Sequence, residues 1–545
     1  ALVIAVNVNA QISVNVDSVL FPQTLTGTRD SFLVAVKNNH SQSSALKIRN
    51  LKNVYKLSDT LLTIAANDSA IVWIKYQPNQ NVIDKDLIFI FSADSTIGSI
   101  ISVTGSGRFG DDYDATTFNL YDSQLKNVLI SLVDNHRSLG YNTARDRMFM
   151  EFDNQRVNGQ GATQNTLECV YTGRLAVGYS SRSVAQGSPF NFNTEHTWPQ
   201  SNFNELEPMK SDLYHLFPTD ISANSTRSNY PFGKVVSNIT WQIGGSRLGL
   251  NNIGRLVFEP RDVHKGDVSR SMFYFMIRYP INYGSFFTQE QENVFREWNN
   301  FDKVGTVEAN RNNAIALLQL KRNPFIDHPE FVDRIFSFVT NNSRPLVAEL
   351  ELLPLKVKFD STLINNLATR QIYIANSGSS QLVIDSISIS NSKFSVGVVN
   401  NRIEPFSYSK VEVQFKPESV SNYSAVLRVY SRVGVKSILL SGIGKDRIVN
   451  VEAEKTIPYN FSLGQNYPNP FNPNTQINFS IGEAGVVSLT VYNAIGEMIK
   501  ELINGNMSEG IHSINFDASE LKSGIYFYKL VTSNFRETKK MALVK

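Results

Sequence analysis

Residues 191–235 read NFNTEHTWPQSNFNELEPMKSDLYHLFPTDISANSTRSNYPFGKV, and they concentrate chemically active side chains in one short segment. Glu195 and His196 are adjacent there. Neighbouring side chains of a regular strand face opposite ways, so a site that uses both needs the strand to end or twist. Pro199 favours such an end, because proline cannot continue a central strand. The segment therefore predicts a polar site at the end of a strand.

The second half of this segment completes the pattern. Residues 209–218 (MKSDLYHLFP) predict a second strand or extended run, and residues 220–231 (DISANSTRSNYP) predict a short helix. Glu195 and Asn224 offer oxygen ligands, which suit Mg²⁺, Mn²⁺ or Ca²⁺, and the sequence has no Cys-x-x-Cys pair for structural zinc. One face of the predicted helix carries Asp220, Asn224, Arg227 and Ser228.

The sequence around this segment predicts a mixed, mainly helical (α+β) domain over residues 111–344. Helical periodicity appears in LKNVLISLVDNH after Gln124, in SRSMFYFMIRY from Ser269 and in TVEANRNNAIALLQL from Thr306. Proline and glycine punctuate the intervals between these stretches. The polar segment lies near the centre of the predicted domain.

Residues 11–108 and 345–447 repeat one β-rich plan on either side of that domain. Short alternating runs separated by turn residues predict an antiparallel β-sandwich in each copy. The copies resemble immunoglobulin-like modules of the ASPM, SPD-2, hydin type, and the resemblance implies spacers or weak binding modules of unknown ligand. The matching motifs are VWIKYQP (72–78) with VEVQFKP (411–417), and VTGSG (103–107) with LSGIG (440–444).

Residues 457–545 predict a further small β-sandwich. It opens with SLGQNYPNPFNPNTQINFSI, whose prolines favour an extended start, and ends with SGIYFYKLVTSNFRETKKMALVK. These motifs resemble the C-terminal sorting domain of the type IX secretion system. The resemblance implies the type IX secretion machinery as a partner, and an extracellular protein that is secreted or attached to the cell surface.

Composition is consistent with about three to five folded domains in 545 residues. The net charge of +3 is too small to indicate a nucleic-acid binder by bulk electrostatics. Cys169 is the single cysteine, so no intrachain disulfide can form, and a buried thiol is expected. No stretch predicts a membrane-spanning helix. Residues 1–10 predict the remnant of a signal peptide, with a first β-strand as the alternative.

The central domain resembles the bacterial extracellular endonuclease I family. The signature blocks are TEHTWPQSNF, PMKSDLYHLFPTD and NSTRSNYPFG, and the likeness continues in YNTARDRMF from Tyr141, ECVYTGR from Glu168, VFEPRDVHKGDVSRSMFYFMIRY from Val257 and KRNPFIDHPEFV from Lys321. The resemblance implies a ββα-metal, or His-Me finger, nuclease motif.

The resemblance also implies roles for individual residues. Glu195 and Asn224 would hold one divalent cation, with Mg²⁺ expected and Mn²⁺ or Ca²⁺ as alternatives. His196 would be the general base that takes a proton from the attacking water, a role that its ordinary pKa near 6.5 allows. Hydrolysis would leave a 5′-phosphate and a 3′-hydroxyl.

Four further residues are candidates for the site. Arg227, one helical turn after Asn224, is predicted to contact phosphate as part of the catalytic set. Lys265 and Arg270 are weaker candidates for substrate binding, and for all three cationic residues a solvated charge or a structural ion pair is the alternative. His215 is either a second site residue or a packed core histidine.

The predicted function is a secreted, metal-dependent endonuclease, largely indifferent to sequence, that hydrolyses phosphodiester bonds of DNA, RNA or both. Contacts to phosphate and sugar do not read sequence, and the β-rich modules show no basic aromatic groove. A secreted ribonuclease of the same family is one alternative. An inactive adhesion or scaffold protein is the other, and the joint presence of Glu195, His196 and Asn224 disfavours it.

Overall fold

The computed structural model describes residues 12–280, 286–446 and 460–545, arranged as two compact units, 1–447 and 448–545. The predicted signal-peptide remnant at 1–10 lies outside the described residues. The β-rich modules and the mainly helical domain all belong to the first unit.

The first β-rich module contains two facing sheets that share one apolar core. Its sheets have the orders β1-β3-β7-β5 and β2-β9-β8-β4-β6, and the β2–β9 pair is parallel. Alternating apolar residues produce this arrangement, because every second side chain of a strand points to the same face. The strands are β1 (Ile12–Val14), β2 (Ser18–Leu25), β3 (Asp30–Asn38), β4 (Ser44–Arg49), β5 (Tyr55–Leu57), β6 (Leu61–Ile64), β7 (Ser69–Tyr76), β8 (Ile83–Ser92) and β9 (Gly98–Arg108).

Helices surround small antiparallel sheets in the central domain. The strands are β10 (Thr166–Glu168), β11 (Leu175–Val177), β12 (Phe192–His196), β13 (Leu216–Asp220), β14 (Ser237–Ile243), β15 (Ser246–Leu250) and β16 (Leu256–Glu259). The helices are α1 (Tyr113–Thr117), α2 (Asp122–Val133), α3 (Tyr141–Arg147), α4 (Arg182–Gln186), α5 (Ile221–Arg227), α6 (Lys265–Arg278), α7 (Gln289–Phe301), α8 (Thr306–Gln319), α9 (Pro324–Asp327) and α10 (Phe331–Arg334).

Helix α6 forms the centre of this domain. Its residues from Val268 to Ile277 are all buried, which accounts for its apolar residues on more than one face. Helices α2, α6 and α8 lie where helical periodicity predicts them. Residues 209–215 differ from the predicted extended run, since they form two short 3₁₀ turns before strand β13 begins.

The second β-rich module repeats the sheet plan of the first. Its sheets have the orders β17-β19-β23-β21 and β18-β25-β24-β20-β22, and the β18–β25 pair is again parallel. The strands are β17 (Leu350–Leu353), β18 (Lys356–Leu363), β19 (Ala368–Asn376), β20 (Leu382–Ile389), β21 (Phe394–Val396), β22 (Arg402–Ile403), β23 (Ser407–Phe415), β24 (Asn422–Ser431) and β25 (Gly434–Lys445).

The repeated motifs occupy equivalent positions in the two modules. A β-carbon added to Gly105 would lie 2.5 Å from the ring of Tyr76, and one added to Gly442 would lie 2.5 Å from the ring of Phe415. The aromatic residue of each first motif therefore fills the space that the glycine of each second motif leaves open. Substitution of either glycine would force that ring to move.

Direct contacts join the parts of the first unit. Leu87, Phe89 and Ile100 of the first module form one apolar cluster with Leu353, Tyr373 and Ala375 of the second. Asn81 connects the first module to the central domain, because its side chain accepts a hydrogen bond from Arg334 at 2.6 Å and donates one to Thr117 at 3.0 Å.

The second unit is made of strands. It contains sheets with the orders β26-β27-β30 and β29-β28-β31-β32, which share one apolar core. The strands are β26 (Ser462–Leu463), β27 (Asn474–Ile481), β28 (Gly485–Asn493), β29 (Met498–Met507), β30 (Gly510–Asp517), β31 (Gly524–Val531) and β32 (Arg536–Leu543).

Candidate active site

Strands β12 and β13 pair antiparallel, and helix α5 follows β13 directly. Within the pair, Glu195 lies opposite Phe217 and His196 lies opposite Leu216. The side chain of Asp220 caps α5 by accepting a hydrogen bond from the backbone N–H of Ala223 at 2.8 Å. Strand β12 ends at His196, which is where the sequence predicts an end.

Asn224 connects the helix to the first strand. Its Nδ2 donates a hydrogen bond to the backbone carbonyl of Thr194 at 3.3 Å. This bond fixes the orientation of the amide and leaves the carbonyl oxygen of Asn224 available as a ligand. The structure therefore brings Glu195, His196 and Asn224 into one neighbourhood.

His196 is buried, and both of its ring nitrogens have partners. The Nε2 atom lies 3.1 Å from the backbone carbonyl of Lys210, and the Nδ1 atom lies 3.2 Å from Nε2 of Gln200. A carbonyl only accepts, so Nε2 carries the proton and Nδ1 is the free base that accepts from Gln200. Burial lowers the pKa of His196 well below its usual value, and His215 lowers it further. The imidazole is therefore neutral at neutral pH.

Glu195 is also buried, and it faces Arg227 and Tyr171. Burial raises the pKa of the Glu195 carboxyl, whereas Arg227 and the Tyr171 hydroxyl act to lower it. The Nε of Arg227 lies 3.2 Å from Oε1 of Glu195. The positive charge of Arg227 therefore lowers the free-energy cost of burying the Glu195 carboxylate.

The site residues fit a divalent cation of the hard, oxygen-binding kind. Glu195 supplies a carboxylate and Asn224 an amide carbonyl. Across residues 12–280, 286–446 and 460–545, no three His, Cys, Asp or Glu side chains are grouped so that they could hold a metal ion. A site with two protein oxygens leaves the remaining positions to water, which is a binding mode that Mg²⁺ favours.

Arg227 lies inside the protein and pairs with Glu195, which corresponds to the structural ion pair that is the alternative to a phosphate contact. It is only 1% exposed, and its Nη2 and Nη1 donate to the backbone carbonyls of Thr197 at 2.6 Å and Ser228 at 2.8 Å. These two bonds and the ion pair with Glu195 hold the guanidinium inside the protein, although its Nε has no hydrogen-bond partner. This position supports a structural role, in which Arg227 holds the Glu195 side chain and the end of β12 in place.

Arg270 and Lys265 are both engaged in ion pairs. Arg270 is buried and forms two hydrogen bonds with Glu308, at 2.7 and 2.6 Å. Lys265 pairs with Glu259 at 2.8 Å and with Asp262 at 2.7 Å. A substrate phosphate would have to compete with these contacts. Both residues therefore form the structural ion pairs of the alternative, and a substrate-binding role for them stays a prediction.

His215 lies in the core beside the site. It is fully buried, and its Nε2 lies 2.6 Å from the backbone carbonyl of Met209. Its ring is 5.2 Å from the ring of His196. Burial lowers the pKa of His215 to about 4. His215 therefore packs against the proposed base as a neutral side chain, which corresponds to the core alternative.

Three contributors to the site are absent from the sequence prediction. They are the carbonyl of Lys210, the amide of Gln200 and the hydroxyl of Tyr171. A backbone carbonyl leaves no mark on residue identity, so sequence could not indicate Lys210. Gln200 lies four residues after His196 in the block TEHTWPQSNF, and Tyr171 lies in the block ECVYTGR, so their places in these blocks were the available signals.

Two families match parts of this chain. Residues 122–330 match the family described as Endonuclease I, and residues 465–544 match the family described as Secretion system C-terminal sorting domain. The fold and these matches define an extracellular nuclease with a sorting domain at the C-terminal side. No helix in the described residues has the length and apolar character that crossing a membrane requires.

Similar curated proteins identify the family. An extracellular ribonuclease of Bacillus subtilis (strain 168) is 29% identical over 265 residues, which are 45% of this chain and 86% of the relative. An extracellular ribonuclease of Bacillus amyloliquefaciens is 30% identical over 228 residues, 39% of this chain and 73% of the relative. An extracellular deoxyribonuclease of Aeromonas hydrophila is 28% identical over 123 residues, 23% of this chain and 52% of the relative. The chain belongs to the endonuclease I family.

Proposed function

We propose that the central domain is a divalent-cation-dependent endonuclease of the ββα-metal type, which hydrolyses phosphodiester bonds with little regard to sequence. The observation that carries this proposal is the convergence of Glu195, His196 and Asn224 on β12 and α5, with the proton of His196 directed to a carbonyl. In the proposed site, His196 would supply the base nitrogen, and Glu195 and Asn224 would supply the two oxygen ligands.

His196 acts as the general base. Its Nδ1 accepts a proton from water as the water oxygen forms a bond to phosphorus and the bond from phosphorus to the 3′ oxygen breaks. The carbonyl of Lys210 holds the ring and stabilises the imidazolium that forms, because it accepts from Nε2–H. Gln200 occupies the hydrogen-bonding position on Nδ1 that the attacking water takes over. The leaving 3′ oxygen takes a proton from a second water molecule, so the products are a 5′-phosphate and a 3′-hydroxyl.

Glu195 and Asn224 would hold the cation, for which Mg²⁺ is the expected ion. When bound, the cation offsets negative charge on the scissile phosphate as the 3′ oxygen leaves. Arg227 keeps the Glu195 carboxylate oriented from the opposite side of the site. Thr194 does the same for Asn224 through its backbone carbonyl.

RNA is the favoured substrate within this class. The two relatives named as extracellular ribonucleases are matched over 86% and 73% of their lengths, whereas the deoxyribonuclease of Aeromonas hydrophila is matched over 52%. The domain of this chain therefore shares more of its extent with the ribonucleases. DNA cleavage is the second candidate activity.

The remaining parts of the chain support delivery of this enzyme. We assign residues 111–344 to the catalytic domain, 11–108 and 345–447 to immunoglobulin-like modules, and 457–545 to the domain that the type IX secretion machinery recognises. The contacts between the two modules favour a role as a fixed spacer.

Incubation of the purified protein with single-stranded RNA and with plasmid DNA tests the proposed function. In Mg²⁺, RNA fragments with 5′-phosphate ends are expected, with slower nicking of the plasmid. EDTA should abolish both reactions because it removes the cation. Glu195 and Asn224 only bind a cation and cannot replace it as a Lewis acid. Absence of cleavage of both substrates in Mg²⁺, Mn²⁺ and Ca²⁺ would instead indicate the inactive scaffold.

A further inference from the structure

Arg145 lies near the proposed base and forms no ion pair with the described residues. It lies on α3, in the block YNTARDRMF. Among the ion pairs formed by the described residues, none involves Arg145, in contrast to Arg227 and Arg270. Its Nη2 donates to the side chain of Asn142 at 2.8 Å. Its Nε is buried and has no hydrogen-bond partner.

Tyr141 places Arg145 beside the active site. The Arg145 guanidinium lies over the Tyr141 ring, 4.1 Å from its centroid. The same ring lies 5.6 Å from the ring of His196. Stacking on an aromatic face restricts the long side chain and leaves the edges of its planar fork free to donate. Arg145 as a whole is half-buried, and its guanidinium keeps the hydrogen bond from Nη2 to Asn142.

The surroundings of Tyr141 carry an excess of positive charge. Lys210 lies 5.1 Å from its ring centroid, and Arg182 and the carboxylate of Glu205 also act on it electrostatically, while Asp146 acts on Arg145. Lys210 and Arg182 have acidic partners, Glu205 and Asp146, but both partners are more exposed to solvent than the cations. Exposed partners neutralise a local field only weakly, because solvent screens them.

We propose that Arg145, held on the ring of Tyr141, binds a backbone phosphate of the nucleic acid next to the scissile bond. This inference rests on the proposed nuclease function and assigns to Arg145 the phosphate contact that the internal bonds of Arg227 preclude. Arginine suits the role, because its fork donates two parallel hydrogen bonds to phosphate oxygens. A contact of this kind positions the strand without reading its sequence.

A matched pair of variants tests the inference by binding. Arg145→Gln and Arg147→Gln each remove one charge from α3 and keep a long side chain. Arg147, the last residue of α3, pairs with Glu151 four residues later, and its side chain is 46% exposed, which makes it the control. Both changes are introduced into the full chain carrying His196→Ala, and the affinity for a fluorescent single-stranded RNA is measured in Mg²⁺.

Arg145→Gln is expected to weaken binding about 10- to 100-fold, the effect of losing a charge-assisted contact, whereas Arg147→Gln changes it less than about 2-fold. The slope of log affinity against log salt should fall in magnitude by about 0.7 for Arg145→Gln alone. Equal affinity and slope in the two variants would overturn the phosphate contact. Thermal unfolding shows whether both variants are folded, and Arg145→Lys, which keeps the charge, should recover part of the affinity.

These outcomes are separable from failure of the proposed function. If the protein without substitutions cleaves RNA while the two glutamine variants bind alike, only the role of Arg145 is overturned. If the protein without substitutions cleaves neither RNA nor DNA, the nuclease function itself fails, and the role of Arg145 fails with it.

Discussion

Replacement of His196 by alanine is expected to lower the turnover of RNA cleavage by about 10²- to 10⁴-fold, the usual contribution of a general base. The structure gives the reason, because Nδ1 of His196 is the unprotonated nitrogen while Nε2–H is held by the Lys210 carbonyl. Alanine leaves the attacking water with no base in that position. Single-turnover cleavage of a labelled RNA in saturating Mg²⁺ measures the loss directly.

A control separates this loss from unfolding. His40 lies in the first β-rich module, far along the chain from β12, and His40→Ala should cleave at the rate of the unchanged protein. The His196→Ala protein should keep the far-ultraviolet circular dichroism of its parent. A folded His196→Ala protein with a near-normal rate would show that the base is another residue.

Removal of residues 465–545 is expected to abolish export and trap the protein in the periplasm. This segment contains the matched sorting domain and forms most of the second compact unit. The first unit keeps its own cores without it, so the retained protein should still fold. Immunoblots of periplasmic and culture fractions measure the distribution.

Two further observations complete this experiment. Periplasmic extracts that hold the truncated protein should cleave RNA in Mg²⁺, which shows that the loss lies in transport. Normal amounts of the truncated protein in the culture medium would refute the assignment of this domain to sorting.

The strands and long helices could be predicted from sequence because each has a regular period. Alternation of apolar residues marks the β-rich modules, and the glycine and aromatic positions of their repeated motifs return at equivalent places in both copies. Helices α2, α6 and α8 show helical periodicity in the same way. Residues 209–215 escaped prediction, since short 3₁₀ turns have no extended period of their own.

The reactive residues of the candidate site could be predicted from the sequence. The contacts of its arginine side chains could not. The resemblance to a family identifies Glu195, His196 and Asn224, and the fold brings them together. The burial of Arg227 and Arg270 depends on distant partners such as Thr197 and Glu308, and no local pattern encodes these partners. Long-range packing determines whether an arginine is free to contact substrate or is bound to other protein groups.

The Mg²⁺ dependence of RNA cleavage tests the central claim most directly, with Glu195→Gln measured beside the unchanged protein. Glutamine keeps the shape of the side chain and removes the charge that would hold the cation. The account predicts that the Mg²⁺ concentration for half-maximal rate rises by about 10-fold or more, since even residues that only orient metal ligands contribute about 10- to 100-fold to affinity. An unchanged Mg²⁺ dependence in a folded Glu195→Gln protein would contradict the proposed cation site.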